Sequence, residues 1–277
     1  MRFTRADSLE RLHETVEDDQ PIIGAGAGTG ISAKFAERGG VDVLIIYNSG
    51  RYRMAGRGSL SGLLPYGDAN EIVLEMGHEV LPVVEDTPVL AGVNGTDPFR
   101  DMEVFISDLQ RRGFSGVQNF PTVGLIDDDS TFRQNLEETG MGYDKEIEMI
   151  RTAADLGMLT CPYVFNPSQA TAMVEAGADL VVAHMGLTTS GDIGAETAMD
   201  LDDAAESVQS ISDAAHEVDE DALVICHGGP IAWPDDAAYV LEQTENVVGF
   251  FGASSIERLP TEEAIEAQAK AFKSISQ

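Results

Sequence analysis

Short apolar runs alternate with longer stretches of helical periodicity along the whole chain. Leu9, Leu12 and Val16 stand at helical spacing and predict a short N-terminal helix over residues 8–18. Eight apolar runs follow. The first opens at Pro21, and the others cover residues 41–47, 88–93, 116–120, 159–165, 179–185, 222–226 and 246–251. Each gives way to a helix-like segment, such as the stripe Leu201, Ala204, Val208, Ile211 and Ala215. The last segment, from Pro260, is expected to bury Ile265, Phe272 and Ile275. Punctuation supports the divisions: Asp68 with Glu71, Asp97 before Pro98, and Asn166 before Pro167 are predicted helix starts.

Eight apolar strands, each followed by a helix, predict an α/β fold, a (β/α)8 TIM barrel in a single domain over residues 1–277 with a short N-terminal helix. A doubly wound open sheet is the alternative. Two stretches without clear periodicity, residues 48–67 and 121–143, are expected to lie as long loops over the barrel mouth. The glycine series Gly24, Gly26, Gly28 and Gly30 fails the dinucleotide-binding spacing, because the third glycine position falls on Thr29 or Ile31.

Charge narrows the partners. The 48 acidic and 17 basic residues give a formal charge of -31, spread over helix-like segments. Such a surface argues against nucleic-acid or anionic-membrane partners, which need clustered Lys and Arg. It reads as adaptation to a salt-rich cytoplasm, with an acidic mesophilic protein as the alternative. Cys161 and Cys226 sit in apolar runs and predict buried reduced thiols. The N-terminus is charged, and no apolar run reaches about 18 residues, so a soluble, cytoplasmic protein is expected.

In a barrel of this kind the carboxyl ends of the strands carry the chemistry. His184 and His227 fall there, whereas His13, His78 and His216 lie on helix-like segments. Either strand-end imidazole can move a proton near neutral pH. Asn94 and Asn119 are placed to orient a carbonyl or carboxylate, and Tyr163 stands at another strand end. Gly228, Gly229, Gly252, Ala253, Ser254 and Ser255 offer amides and hydroxyls for an anion cradle, or form tight turns only. Ser49 and Arg51 begin a donor-rich stretch that also holds Asn48, Tyr52, Arg53 and Arg57. It favours a small anionic metabolite, the alternative being ion pairs with surface carboxylates. No HxH or HExxH spacing supplies a zinc site, and no metal ligands are assigned.

The strings GAGAGTGISAKFAERGGVDVLIIYNSGRYRM, VLAGVNGTDPF, HMGLTTSG, HGGPIA and FFGASSIERLP resemble the TIM-barrel family called phosphoenolpyruvate hydrolase-like, from about residue 5 to the end. They are also similar to the C-terminal part of plant tobamovirus-resistance proteins. The resemblance implies a (β/α)8 barrel that assembles as a homo-oligomer. It implies hydrolase or lyase chemistry on a phosphoenolpyruvate- or phosphonopyruvate-like acid, with a non-catalytic regulatory barrel as the alternative. More distantly, SAKFAERGGVDVLIIYNSG resembles the phosphoenolpyruvate mutase and isocitrate lyase superfamily, which uses Mg²⁺ held by carboxylates at the end of the third strand. Here those positions read Gly92, Val93 and Asn94, and the fourth strand offers Gln118 and Asn119. Neutral amides are poor Mg²⁺ ligands.

Overall fold

The computed structural model describes residues 3–276. Nine strand segments form one parallel sheet: β1 (Ile22–Gly26), β2 (Val43–Ile46), β3 (Val89–Gly92), β4 (Gly116–Gln118), β5 (Leu159–Thr160), β6 (Tyr163–Val164), β7 (Leu180–His184), β8 (Leu223–His227) and β9 (Val247–Gly252). The order is β5-β4-β3-β2-β1-β9-β8-β7-β6. The nine segments account for the eight apolar runs, with β5 and β6 as the two halves of run 159–165.

That run is interrupted at Pro162, which has no N–H to give to a ladder. Before it, the Cys161 amide donates to Val117 O of β4 at 3.0 Å; at it, Pro162 O accepts from Val182 of β7 at 2.9 Å. The two halves thus hold different neighbours, and the ring closes through the broken strand. β2 to β8 are buried along their full length, which is why they read as unbroken apolar runs rather than alternating ones.

The helices are α1 (Arg5–Glu17), α2 (Gly30–Arg38), α3 (Asn48–Met54), α4 (Ala69–Val80), α5 (Met102–Arg112), α6 (Thr131–Glu138), α7 (Tyr143–Asp155), α8 (Pro167–Glu175), α9 (Leu201–His216), α10 (Pro234–Gln243) and α11 (Leu259–Lys273). Asp68 caps α4 and Asn166 caps α8, as their spacing predicts. The bidentate pair of Arg5 with the buried Asp179, at 2.7 Å, ties α1 to the loop before β7. None of the described helices is long and apolar enough to cross a membrane.

Three expectations are corrected. The stretches 48–67 and 121–143 are not loops throughout, because they contain α3 and α6, each of about two turns and too short to show a clear periodicity. Asp97 does not cap α5; Asp101 does, accepting from Val104 N at 3.2 Å, while Asp97 accepts from Asn70 and from Phe99 N. Ile265, Phe272 and Ile275 are 66–68% exposed, and every described residue from Glu263 on is exposed. Periodicity reveals an apolar face on α11 but not whether its cover lies within the same chain.

Candidate active site

Two histidines face each other at the carboxyl ends of β7 and β8. The register pairs His184 with His227 directly, and their rings meet edge to face with centroids 4.6 Å apart. Tyr163 of β6 stacks on His227 at 5.3 Å and meets His184 edge-on at 4.7 Å, while Phe165 and Phe251 close the cluster. Both imidazoles are buried among these rings and are held by main-chain partners.

Those partners fix the tautomers. The Gly186 amide donates to His184 Nδ1 at 3.0 Å, so this nitrogen is bare and the proton of the neutral ring is on Nε2. His227 Nδ1 lies 2.7 Å from Phe251 O, a carbonyl that can only accept, so the proton is on Nδ1 and Nε2 is bare. Burial pushes His227 down to about 4 against the Phe251 bond, with Arg53 lowering it further. His184 is lowered well below the ordinary value by burial and then by His227. Both rings are neutral at pH 7, one presenting N–H and the other a lone pair.

The cavity above them has a volume of about 30 Å³, lined by Tyr47, Ser49, Ser59, Leu60, Phe120 and Tyr163 besides the histidines. Gly186, Leu187, Thr188, Ala253 and Ser254 complete it. Among the described residues, the Leu187 and Thr188 amides have no protein acceptor. A short 3-10 turn, Ser59–Leu63, straps the opening. Ser49 Oγ and Asn48 Nδ2, both on α3, hold the strap by donating to Ser59 O at 2.5 Å and Gly62 O at 2.8 Å.

Other residues singled out in the sequence sit elsewhere. Gly228 and Gly229 back the cavity rather than line it. Both have positive φ, and a side chain on either would overlap the carbonyl oxygen of Gly186 or Met185. Gly252 is within β9 and Ser255 lies beyond the cavity wall. Arg51 turns outward to Glu75 at 2.6 Å. Asn94 lines a neighbouring groove, where its side-chain oxygen accepts from Thr96 at 3.0 Å.

Asn119 is fully engaged as a clasp across the broken strand. Its oxygen accepts from Tyr163 N at 2.7 Å, and its nitrogen donates to Tyr163 O at 3.2 Å and to Glu146 at 2.6 Å. Glu146 also accepts from Val123 N at 2.8 Å. Burial raises its carboxyl to about 7, against the Thr122, Val123 and Asn119 donors that favour its charged form. Because the folded value lies above the unfolded one, Glu146 contributes stability fully below about 4.5, and this is lost as pH rises through about 7. The loss amounts to about 3 kcal/mol. His227 acts oppositely, its contribution being lost as pH falls from about 6.5 to about 4. The stability of wild type relative to Glu146→Gln in urea unfolding is therefore expected to fall steadily from pH 4.5 to 7; a constant difference would mean that the buried carboxyl keeps one charge state throughout.

Composition and spacing gave no sign of Arg53 and Glu257 as a pair. Arg53, 2% exposed, lies against Tyr47 and donates from Nε to Glu257 Oε2 at 2.8 Å, with Nη2 2.7 Å from the same oxygen. Neither Nη1 nor Nη2 has a hydrogen-bond partner among the described residues, the Nη2 approach to Glu257 being an ion-pair contact. Glu257 also accepts from Gly28 N at 2.5 Å and from Ser32 Oγ. This accounts for the glycine series: the anion site at the start of α2 is filled by the protein's own carboxylate, and the Gly28 and Gly50 backbones touch too closely for side chains. Ser49 and Arg53 are four residues apart and share a face of α3, a signal available only if that stretch is read as helical.

A closed ring of parallel strands with its histidine pocket at the strand ends defines a (β/α)8-barrel protein. The chain matches the family described as phosphoenolpyruvate hydrolase-like over residues 7–275, and it belongs to that family. The tomato (Solanum lycopersicum) ToMV susceptible protein tm-1(GCR26) and ToMV resistance protein Tm-1(GCR237) are each 63% identical over 268 residues, 97% of this chain. The chain spans 35% of the length of these relatives. A crystal structure of phosphonopyruvate hydrolase with oxalate and Mg²⁺ covers 96% of this chain and 87% of its own at TM-score 0.58. Its 15% identity speaks for the shared fold alone.

An ion such as the Mg²⁺ of that phosphonopyruvate hydrolase structure does not fit these residues. No group of three His, Cys, Asp or Glu stands close enough to hold an ion among the described residues. Gly92 packs on Tyr47, Gln118 turns its nitrogen towards Cys161 Sγ at 3.8 Å, and Asn119 is engaged in the clasp.

Proposed function

We propose that the protein is an enzyme acting on a small carboxylated or phosphorylated acid, of the phosphoenolpyruvate or phosphonopyruvate type, by proton transfer at the histidine pair. The observation that carries this is the opposite tautomers of two neutral, adjacent imidazoles. His227 Nε2 takes a proton from a water that attacks the phosphoryl or acyl group; as the new bond to oxygen forms and the bond to the enolate breaks, the leaving enolate takes that proton. His184 Nε2–H, a neutral electrophile, hydrogen-bonds the oxygen on which negative charge develops. The free Leu187 and Thr188 amides and the Ser254 hydroxyl receive the anionic group, and Tyr163 keeps the rings in place. The donor set carries no step through a metal.

The test is a panel of phosphoenolpyruvate, phosphonopyruvate and oxaloacetate, followed by phosphate and pyruvate release and by thermal shift, in Mg²⁺ and in EDTA. Turnover that is indifferent to EDTA is expected. Stabilisation by an acid without turnover would instead establish a ligand-binding, regulatory barrel.

A further inference from the structure

We infer that the substrate acid carries an apolar chain or ring, and that this part lies in the groove beside the histidine pocket. The inference rests on the acid site proposed above and names its substrate class as 2-oxo or enol acids longer than three carbons.

The histidine pocket, at about 30 Å³, has room for one or two waters, so any substrate must part the Ser59–Leu63 strap from the mouth. On the other side of that strap lies a groove of about 750 Å³, within the range of small-molecule sites. The wall between them is thin. Ser49, Leu60 and Phe120 line the pocket, whereas Asn48, Gly62 and Pro121, one or two residues away on the same three segments, line the groove. Lifting the strap makes the two cavities continuous.

The groove is apolar in an acid-loaded chain. Leu63, Leu64, Phe99, Ile126, Phe132 and Leu136 supply its walls, and Leu64, Phe99 and Phe132 are 51%, 94% and 63% exposed. Three large apolar side chains converging on one opening mark a binding surface rather than scattered exposure. Its two carboxylates, Asp68 and Asp97, are both taken by Arg100. The floor is neutral: Asn48, 2% exposed, leaves its buried Oδ1 without a partner, and Asn94 leaves its side-chain nitrogen undonated among the described residues. Such a neutral groove does not suit a second anionic group or a metal; its walls suit hydrocarbon, while the floor amides keep their water. Its continuity with the acid pocket makes that hydrocarbon part of the same molecule.

The experiment measures dissociation constants of pyruvate, 2-oxobutyrate, 2-oxopentanoate, 2-oxohexanoate and phenylpyruvate by calorimetry on the full chain. Affinity should rise about fourfold per added methylene. Leu64→Ser and Phe132→Ser, changes at exposed positions outside the histidine pocket, should flatten this rise while leaving pyruvate affinity unchanged. Pyruvate binding without any gain along the series overturns the groove inference and leaves the acid site standing. A gain that both variants keep also overturns it, and binding by none of the acids removes both readings.

Discussion

His227→Ala is expected to lower kcat on a turned-over acid by about 10² to 10⁴, the range for loss of a positioned general base. His227 alone presents a bare imidazole nitrogen to the cavity, because the Phe251 carbonyl holds its proton on Nδ1. His184→Gln retains a side-chain N–H donor and should cost less than His184→Ala. If the pair instead served only to pack the barrel, both alanine variants would unfold at lower temperature while kcat of the folded fraction stayed unchanged. The pH profile separates the readings further. His227 is held down to about 4, so its basic form persists far into the acid range, and kcat/KM should fall with a midpoint near that value instead of near 6.5. A midpoint near 6.5 would mean that the titrating base is an unburied group.

Arg53→Met is expected to destabilise the fold by about 3–5 kcal/mol, since it leaves the Glu257 carboxylate buried without its counter-charge. Melting should fall by about 10 °C. Glu257→Gln should be comparably damaging, as Arg53 would stay charged at the barrel mouth with Nη1 and Nη2 already lacking hydrogen-bond partners among the described residues. The double variant Arg53→Met/Glu257→Gln should be more stable than the sum of the two losses predicts, because neither charge remains. Arg51→Ala is the contrast: it removes an exposed pair with Glu75 and should change stability by no more than about 1 kcal/mol, less in salt. Equal effects at the two arginines, in urea unfolding at low and high salt, would contradict the inward and outward placement.

The two arginines also show where sequence reading stops. Both belong to one donor-rich stretch, and nothing in composition distinguishes them. A single helix of seven residues, α3, sends one to the surface and the other to the barrel interior. Likewise Asn119 stands where a catalytic amide belongs, yet both ends of its side chain are engaged by Tyr163 and Glu146, a partner 27 residues later. The glycines of the HGGP string gain their reason only when Gly186 and Met185 from the previous strand end are set against them.

The sequence by itself determined the barrel. Strand number, order of elements, most helix starts and the meeting of His184 with His227 follow from local periodicity, capping and the rule that strand ends share one face, all written in neighbouring residues. Tertiary structure alone decided which polar groups are free to act. The tautomers of the histidines, the burial of Arg53 with Glu257, the occupation of Asn119 and the uncovered face of α11 each depend on a partner, present or absent, far away in the chain. Periodicity has no record of such pairings, because it registers which way a side chain points and not what meets it there.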